Sequence, residues 1–303
     1  MDDLLGDHTW VTDGGLETDL IFNRGVDLPE FAAFPLAADP EGRRTLLDYY
    51  TGYAAIARAA RAGLLLESAT WRASPDWAER LGYGPAALDA ATREAVTVVR
   101  EACEASGARH VLASGSVGPR GDGYRSGGTD ADEAAEYHLP QVRAMAAAAA
   151  DLVHAMTMTG AAEAIGVARA AREVGLPVAV SLTVETDGTL PDGQPLGEAL
   201  AAVEAAAAPD WFGVNCAHPS HLLAGLDGGA WQQRIAFFRP NASTLSHAEL
   251  DESEELDAGD LDLLAATTAQ VRERTGGVRV LGGCCGTDAR HVAALWDVAS
   301  WAV

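Results

Sequence analysis

Eight times along the chain an apolar run of strand length is followed by a segment of helical period, and this alternation constrains the fold more than any other feature. The strand candidates are "TWVTDG" from Thr9, "LLLESAT" from Leu64, "HVLASGS" from His110, "LVHAMTM" from Leu152, "PVAVSLTV" from Pro177, "WFGVNCA" from Trp211, "RIAFFRPN" from Arg234 and "VRVLGGCC" from Val278. Helical patterns cover 44–61, 86–105, 132–149, 161–174, 196–207, a short piece near Leu222, 260–274 and 288–299. Neighbouring parallel strands cannot be joined by a hairpin, so strand and helix in strict alternation imply parallel strands with crossover helices. Eight such units in 303 residues predict an α/β fold, a (β/α)8 TIM barrel, as one domain over 1–303. An open doubly wound sheet is the alternative. It is weakened by the first turn, "TDGGLETD", which lacks the dinucleotide-binding glycine pattern and opens no obvious helix. "GPRGDGYRSGGTDADE" and the acidic "HAELDESEELDAGD" read as long loops, the second as a solvated one.

Charge then removes several functions. A formal net charge of -23, with no basic block, disfavours nucleic acid and anionic membrane surfaces as partners. No apolar run is long enough to span a bilayer and the first residues are acidic, which predicts a cytoplasmic protein. All 21 basic residues are arginine, so neither a Schiff-base lysine nor a P-loop lysine is available. A homo-oligomer is compatible with the sequence, which does not fix the oligomeric state.

In a barrel the functional groups gather at the carboxyl ends of the strands. Of the four cysteines, Cys216 ends strand six, while Cys284 and Cys285 end strand eight, one strand away. Three thiols converging in a reducing compartment suit a zinc ion with one open coordination position. The glycines of "GGCCG" would let the backbone bend so that adjacent side chains reach one ion. The alternative is that these cysteines are small buried apolar residues. Cys103, near a helix end, is read as packing. An open zinc position could also bind hydroxide for hydrolysis, although three thiolates make a weak Lewis acid. A structural clip in a binding protein would need a fourth ligand, for which His218 is the candidate, unless it caps the next helix or faces solvent.

"TDGGLETDL", "ASGSVGP", "DGTLPDGQPLGEAL", "GVNCAHP" and "VLGGCCGT" occur in the order and spacing of the zinc-dependent homocysteine S-methyltransferases, and the chain resembles that family over nearly its whole length. The resemblance implies Zn2+ held by Cys216, Cys284 and Cys285, a small thiol acceptor, most simply homocysteine giving methionine, and an onium methyl donor such as S-methylmethionine, S-adenosylmethionine or a betaine. One barrel uses nearly all of these residues, which leaves no room in them for a folate or corrinoid domain and favours a small donor. The resemblance also implies that Asp13 helps hold the acceptor's amino group, with Gly14 and Gly15 allowing close approach and Glu17 in the pocket or supporting it. Asn215 belongs to the "GVNC" motif of the substrate site, and Trp71 falls beside the donor-binding segment. Two positions depart from the family. Met156 and Thr157 stand where a glutamate pair member usually holds the acceptor ammonium, and "ESAT" introduces Glu67 on strand two. Glu67 or Glu185 is expected to compensate, or the acceptor is a thiol or selenol with a different polar end.

Overall fold

The computed structural model describes residues 4–125, 127–253 and 255–299, and its eight parallel strands close into a barrel in chain order. The strands are β1 Trp10–Thr12, β2 Gly63–Glu67, β3 Val111–Val117, β4 Leu152–Met158, β5 Val178–Leu182, β6 Trp211–Asn215, β7 Ile235–Arg239 and β8 Val280–Leu281. Trp10 pairs with Val280 and Val11 with Leu281, so no strand edge is left open and the doubly wound alternative is excluded. The ends of the predicted 1–303 domain, and residues 126 and 254 in the two long loops, lie outside the described residues.

The strands begin within two residues of their predicted starts, but several end earlier. Strand six stops at Asn215, seven at Arg239 and eight at Leu281, before the cysteines. Past each of these ends the backbone leaves the ladder, most sharply at Cys216, whose φ is 58°.

Eight crossover helices follow: α1 Pro40–Ala60, α2 Pro85–Ala105, α3 Ala131–Ala147, α4 Ala161–Val174, α5 Leu196–Ala207, α6 Pro219–Gly225, α7 Leu261–Thr275 and α8 Ala289–Leu295. Their starts follow from side-chain caps. Asp39, Asp130, Asp260 and Asp288 accept from the first free backbone N–H groups of α1, α3, α7 and α8. Two shorter helices, Pro75–Arg80 and His247–Asp251, were not legible as periodic segments, because neither is long enough to show a repeat. The first turn also differs from expectation: it does open a helix, Leu16–Thr18, which widens into a π-helical turn over Asp19–Asn23.

The barrel interior is graded. Leu5, Leu65, Leu112, Leu152 and Phe237 belong to one buried cluster, and Trp10 donates its indole N–H to the Leu5 carbonyl at 3.0 Å. Nearer the carboxyl ends the interior turns polar. His154 on β4 bonds Glu67 on β2 and Ser181 on β5, and β2 and β4 are not neighbours, so the bonds cross the barrel lumen. Burying such groups is costly unless they are bonded, and here both ring nitrogens of His154 are answered.

Candidate active site

The three predicted thiols meet. Cys216 Sγ lies 3.0 Å from Cys284 Sγ and 3.5 Å from Cys285 Sγ. All three sulfurs fall within 4.8 Å of one another, the one such cluster of potential metal ligands among the described residues. A tetrahedral zinc with Zn–S bonds of about 2.3 Å spaces its sulfurs about 3.8 Å apart, so the donor set fits with sub-ångström adjustment.

Cys216 reaches the cluster because its backbone is left-handed, a conformation that costs a non-glycine residue about 1–2 kcal/mol. Its surroundings hold it there. The Cys216 carbonyl accepts from Thr183 Oγ1 at 3.2 Å, Asn241 Nδ2 at 3.1 Å and His247 Nε2 at 2.7 Å. On the other side, the glycines before the cysteine pair serve close packing more than bending. A Cβ on Gly283 would sit 2.0 Å from Thr287 Oγ1, and one on Gly15 would sit 2.4 Å from the Cys284 carbonyl oxygen. Only Gly286, just after the pair, needs positive φ, at 79°. Hydrogen bonds from Cys216 and then Cys285 hold Cys284 well below the usual thiol range against its burial, with Arg239 and Asn215 adding to the effect. Bonds to Cys284 and Cys285, together with burial, push Cys216 up.

Beside the thiols is a cleft of about 500 Å³ of empty space, counting its open mouth, lined by Asp13, Gly14, Gly15, Glu17, Trp71, Met156 and Thr157 among others. All of these were predicted. Asn215 does not line it. It is fully buried behind the wall, where its amide donates to Thr157 Oγ1 at 2.8 Å and Cys284 Sγ at 3.6 Å and accepts from the Thr157 N–H at 2.7 Å. Thr157 is itself left-handed, at φ 60°, in an irregular stretch of β4, so Asn215 braces two site residues from behind the wall. Trp71 is both wall and packing: a Cβ on Gly118 would lie 2.8 Å from its Nε1.

Sequence reasoning missed Arg239, the only hint being an arginine at the end of an apolar strand. It is buried, donates to Asp13 Oδ1 at 3.0 Å, Thr12 Oγ1 at 2.7 Å and the Gly14 carbonyl at 3.0 Å, and lies 3.9 Å from Glu67 Oε1. Although burial opposes its charge, Asp13 and Glu67 raise its pKa further. Asp13 Oδ1 also accepts from Thr12 Oγ1 at 3.0 Å and the Glu67 N–H at 3.2 Å, while its Oδ2 faces only the Tyr49 hydroxyl, at 3.4 Å. Glu185 is drawn elsewhere, to His247 Nδ1 at 2.8 Å.

Glu17 titrates where it can be tested. Burial pushes its carboxyl up from 4.5 to about 7, opposed by its own backbone and helped by Cys284 and Asp13. A carboxyl with a raised folded pKa holds its proton more tightly when folded, so its contribution to stability is lost as pH rises through that interval. In the metal-free protein, Glu17→Gln is expected to match the wild-type melting temperature at pH 4.5 and to exceed it at pH 8. A gap that stays constant across that range would contradict this.

A second, wider cavity opens above the thiols, lined by Phe22, Phe31, Trp71, Arg72, Asp122, Tyr124, Asp251, Glu255 and Asp257. The acidic segment is thus not simply a solvated loop; part of it walls the site. Tyr124 also escaped the sequence reading. Its hydroxyl is 3.9 Å from Cys216 Sγ, and its ring stacks on His247 at 4.2 Å. His218 is a cap, accepting from the Ser220 N–H at 3.2 Å, and it is buried rather than solvent-facing. Cys103 packs away from the site, its thiol pushed up to about 12 by burial.

A closed barrel that brings three thiols together beside a small cleft defines a class of protein equipped to hold a soft or borderline metal next to a small substrate. The sequence profile of the homocysteine S-methyltransferase family matches residues 10–299, and the chain belongs to that family. It is 35% identical over 136 residues to the methionine synthase of Mycobacterium leprae (strain TN), which is 43% of this chain but 11% of that protein, so the match spans about a tenth of the relative's length. Its structure is similar to the metallated form of the homocysteine methyltransferase MmuM from Escherichia coli, with a TM-score of 0.73, 25% identity and 96% of each chain covered. The oxidized form of that enzyme gives a TM-score of 0.72 at 26% identity, covering 95% of this chain and 94% of that one.

Proposed function

We propose that this chain transfers a methyl group from a small onium donor, such as S-methylmethionine, S-adenosylmethionine or a betaine, to the thiol of homocysteine, with zinc held by Cys216, Cys284 and Cys285. One barrel domain carries the whole reaction. The observation that supports this most is the three sulfurs within 4.8 Å of one another at the wall of a cleft. Bound zinc would supply the ionised acceptor sulfur, since coordination removes a thiol proton that free thiols largely keep at neutral pH.

The chain's own residues position the reactants. In the transfer, a sulfur–carbon bond forms as the donor's bond to the same methyl carbon breaks, and the electron pair leaves with a neutral product. The wider cavity suits such a donor in its balance of charge: Asp122, Asp251 and Glu255 line it against Arg72, whose guanidinium lies over the Trp71 and Phe31 rings and shows that this aromatic wall accepts a cation. The test is mass spectrometry of zinc-loaded protein incubated with homocysteine and each donor separately. Methionine should appear with at least one of them and vanish when the metal is chelated. A product with a different thiol or selenol, and none with homocysteine, would reassign the acceptor; no methylated thiol with any donor would reject the reading.

A further inference from the structure

We propose that Glu67 is the specificity residue that recognises the acceptor's ammonium group, through a carboxylate oxygen left without a hydrogen bond of good geometry in the cleft wall. This rests on the function proposed above and names a residue for it. Glu67 closes β2 and is only 3% exposed, yet it lines the cleft beside the thiols. Its Oε1 accepts from His154 Nδ1 at 2.6 Å, because a carboxylate cannot donate, and His154 is fixed from behind by Ser181 Oγ at 2.7 Å. Its Oε2 is buried and makes no hydrogen bond of good geometry; the Ser114 hydroxyl opposite it on β3 is likewise without one and lies close enough to help hold the carboxylate ionised, so the pair can receive one further donor. Leaving such an oxygen unpaired is costly, and buried polar groups that lack a partner mark places where something else binds.

The neighbours do not offer the same recognition. Asp13 is the more heavily bonded carboxylate: its Oδ1 receives Arg239, Thr12 and the Glu67 N–H, its Oδ2 receives the Tyr49 hydroxyl at 3.4 Å, and the guanidinium sits 3.0 Å from it against 3.9 Å from Glu67. Two carboxylates thus face one guanidinium, which sits closer to Asp13, while His154 answers the other side of Glu67. At the end of β4 the cleft presents the Met156 thioether, which accepts from Ser116 Oγ at 3.3 Å and brings no charge. A primary ammonium is the group that fits: it carries the opposite charge and donates up to three hydrogen bonds. Glu185, held by His247 and absent from the cleft lining, is not the anchor.

The test compares homocysteine with its des-amino analogue of equal chain length in the zinc-loaded wild type, Glu67→Gln and Glu67→Asp, measuring kcat and KM separately, calorimetric binding and zinc content. The wild type should prefer homocysteine by tenfold or more, chiefly through KM and affinity. In Glu67→Gln the ratio should fall to near one with zinc retained, whereas a residue that merely holds the fold together would weaken both thiols alike. Glu67→Asp should recover part of the preference. An unchanged preference in Glu67→Gln, or equal binding of the two thiols by the wild type, overturns the proposal. If Glu67→Gln does not fold, an undiminished preference in Glu67→Asp overturns it equally. Should the wild type methylate neither thiol, the proposed function fails, and calorimetry still decides on Glu67: ammonium-dependent affinity that the glutamine variant abolishes supports it, and its absence refutes it.

Discussion

Wild-type protein is expected to bind about one zinc per chain, and Cys216→Ala, Cys284→Ala and Cys285→Ala are each expected to lose tight binding and methyl transfer together. Structural zinc sites are worth about 10–16 kcal/mol, so dividing the lower range among three ligands assigns each about 4 kcal/mol, roughly a thousandfold in affinity. Cys216→Ala should be the most informative of the three. Its sulfur is within 3.5 Å of both others, so its loss opens the middle of the cluster. Cys103→Ala serves as the control, because that thiol lies in α2 with its Sγ 3.5 Å from the Leu112 carbonyl, outside the cluster. Metal analysis after dialysis, alongside turnover, checks both halves. Full zinc retention by the Cys216 variant would dismiss the site.

Arg239→Met is expected to destabilise the fold by about 3–5 kcal/mol, the cost of stripping one partner from a buried ion pair. Asp13 and Glu67 would be left facing each other without their shared cation, and Thr12 and the Gly14 carbonyl would each lose a donor. For a chain of this length, such a loss corresponds to a fall in melting temperature of about 5–8 °C. The effect should depend on pH. Burial alone would raise the Glu67 carboxyl, but His154 and Arg239 outweigh it and hold the pKa below its ordinary value. A carboxylate of that kind contributes stability above its unfolded pKa and loses it as pH falls through the folded one. The deficit of Arg239→Met should therefore be largest near neutrality and narrow below about pH 4 as Glu67 protonates. Adding Asp13→Asn to the variant should return part of the loss, since one of the stranded charges is gone. A single-variant deficit under about 1 kcal/mol at pH 7, by urea titration, would mean that water reaches the site and screens it.

These two expectations draw on different sources. The cysteine prediction was legible before any coordinates, because topology turns a distant pair of motifs into neighbours: the carboxyl ends of β6 and β8 must lie at one face of the barrel, one strand apart. The family resemblance, rather than topology, pointed to Asp13, Gly15, Trp71 and Met156, and all four line one cleft. Arg239 follows a strand as well, but nothing local separates a structural arginine at a strand end from an exposed one. Its role depends on Asp13, 226 residues away in sequence.

The alternation of strand and helix by itself pointed to the barrel, the order of its strands and the face on which chemistry would occur, because parallel strands buried on both sides read as continuous apolar runs while the helices between them repeat every 3.6 residues. Tertiary structure alone decided which polar groups answer one another across the lumen. It set Asn215 as a brace behind Thr157, drew Glu185 to His247, brought part of the acidic segment to the wall of the wider cavity and left Glu67 Oε2 without a hydrogen bond of good geometry. The reason is physical. A hydrogen bond or ion pair is fixed by distances of about 3 Å between particular atoms, and those distances are set by the closure of eight strands, not by any stretch of chain short enough to read.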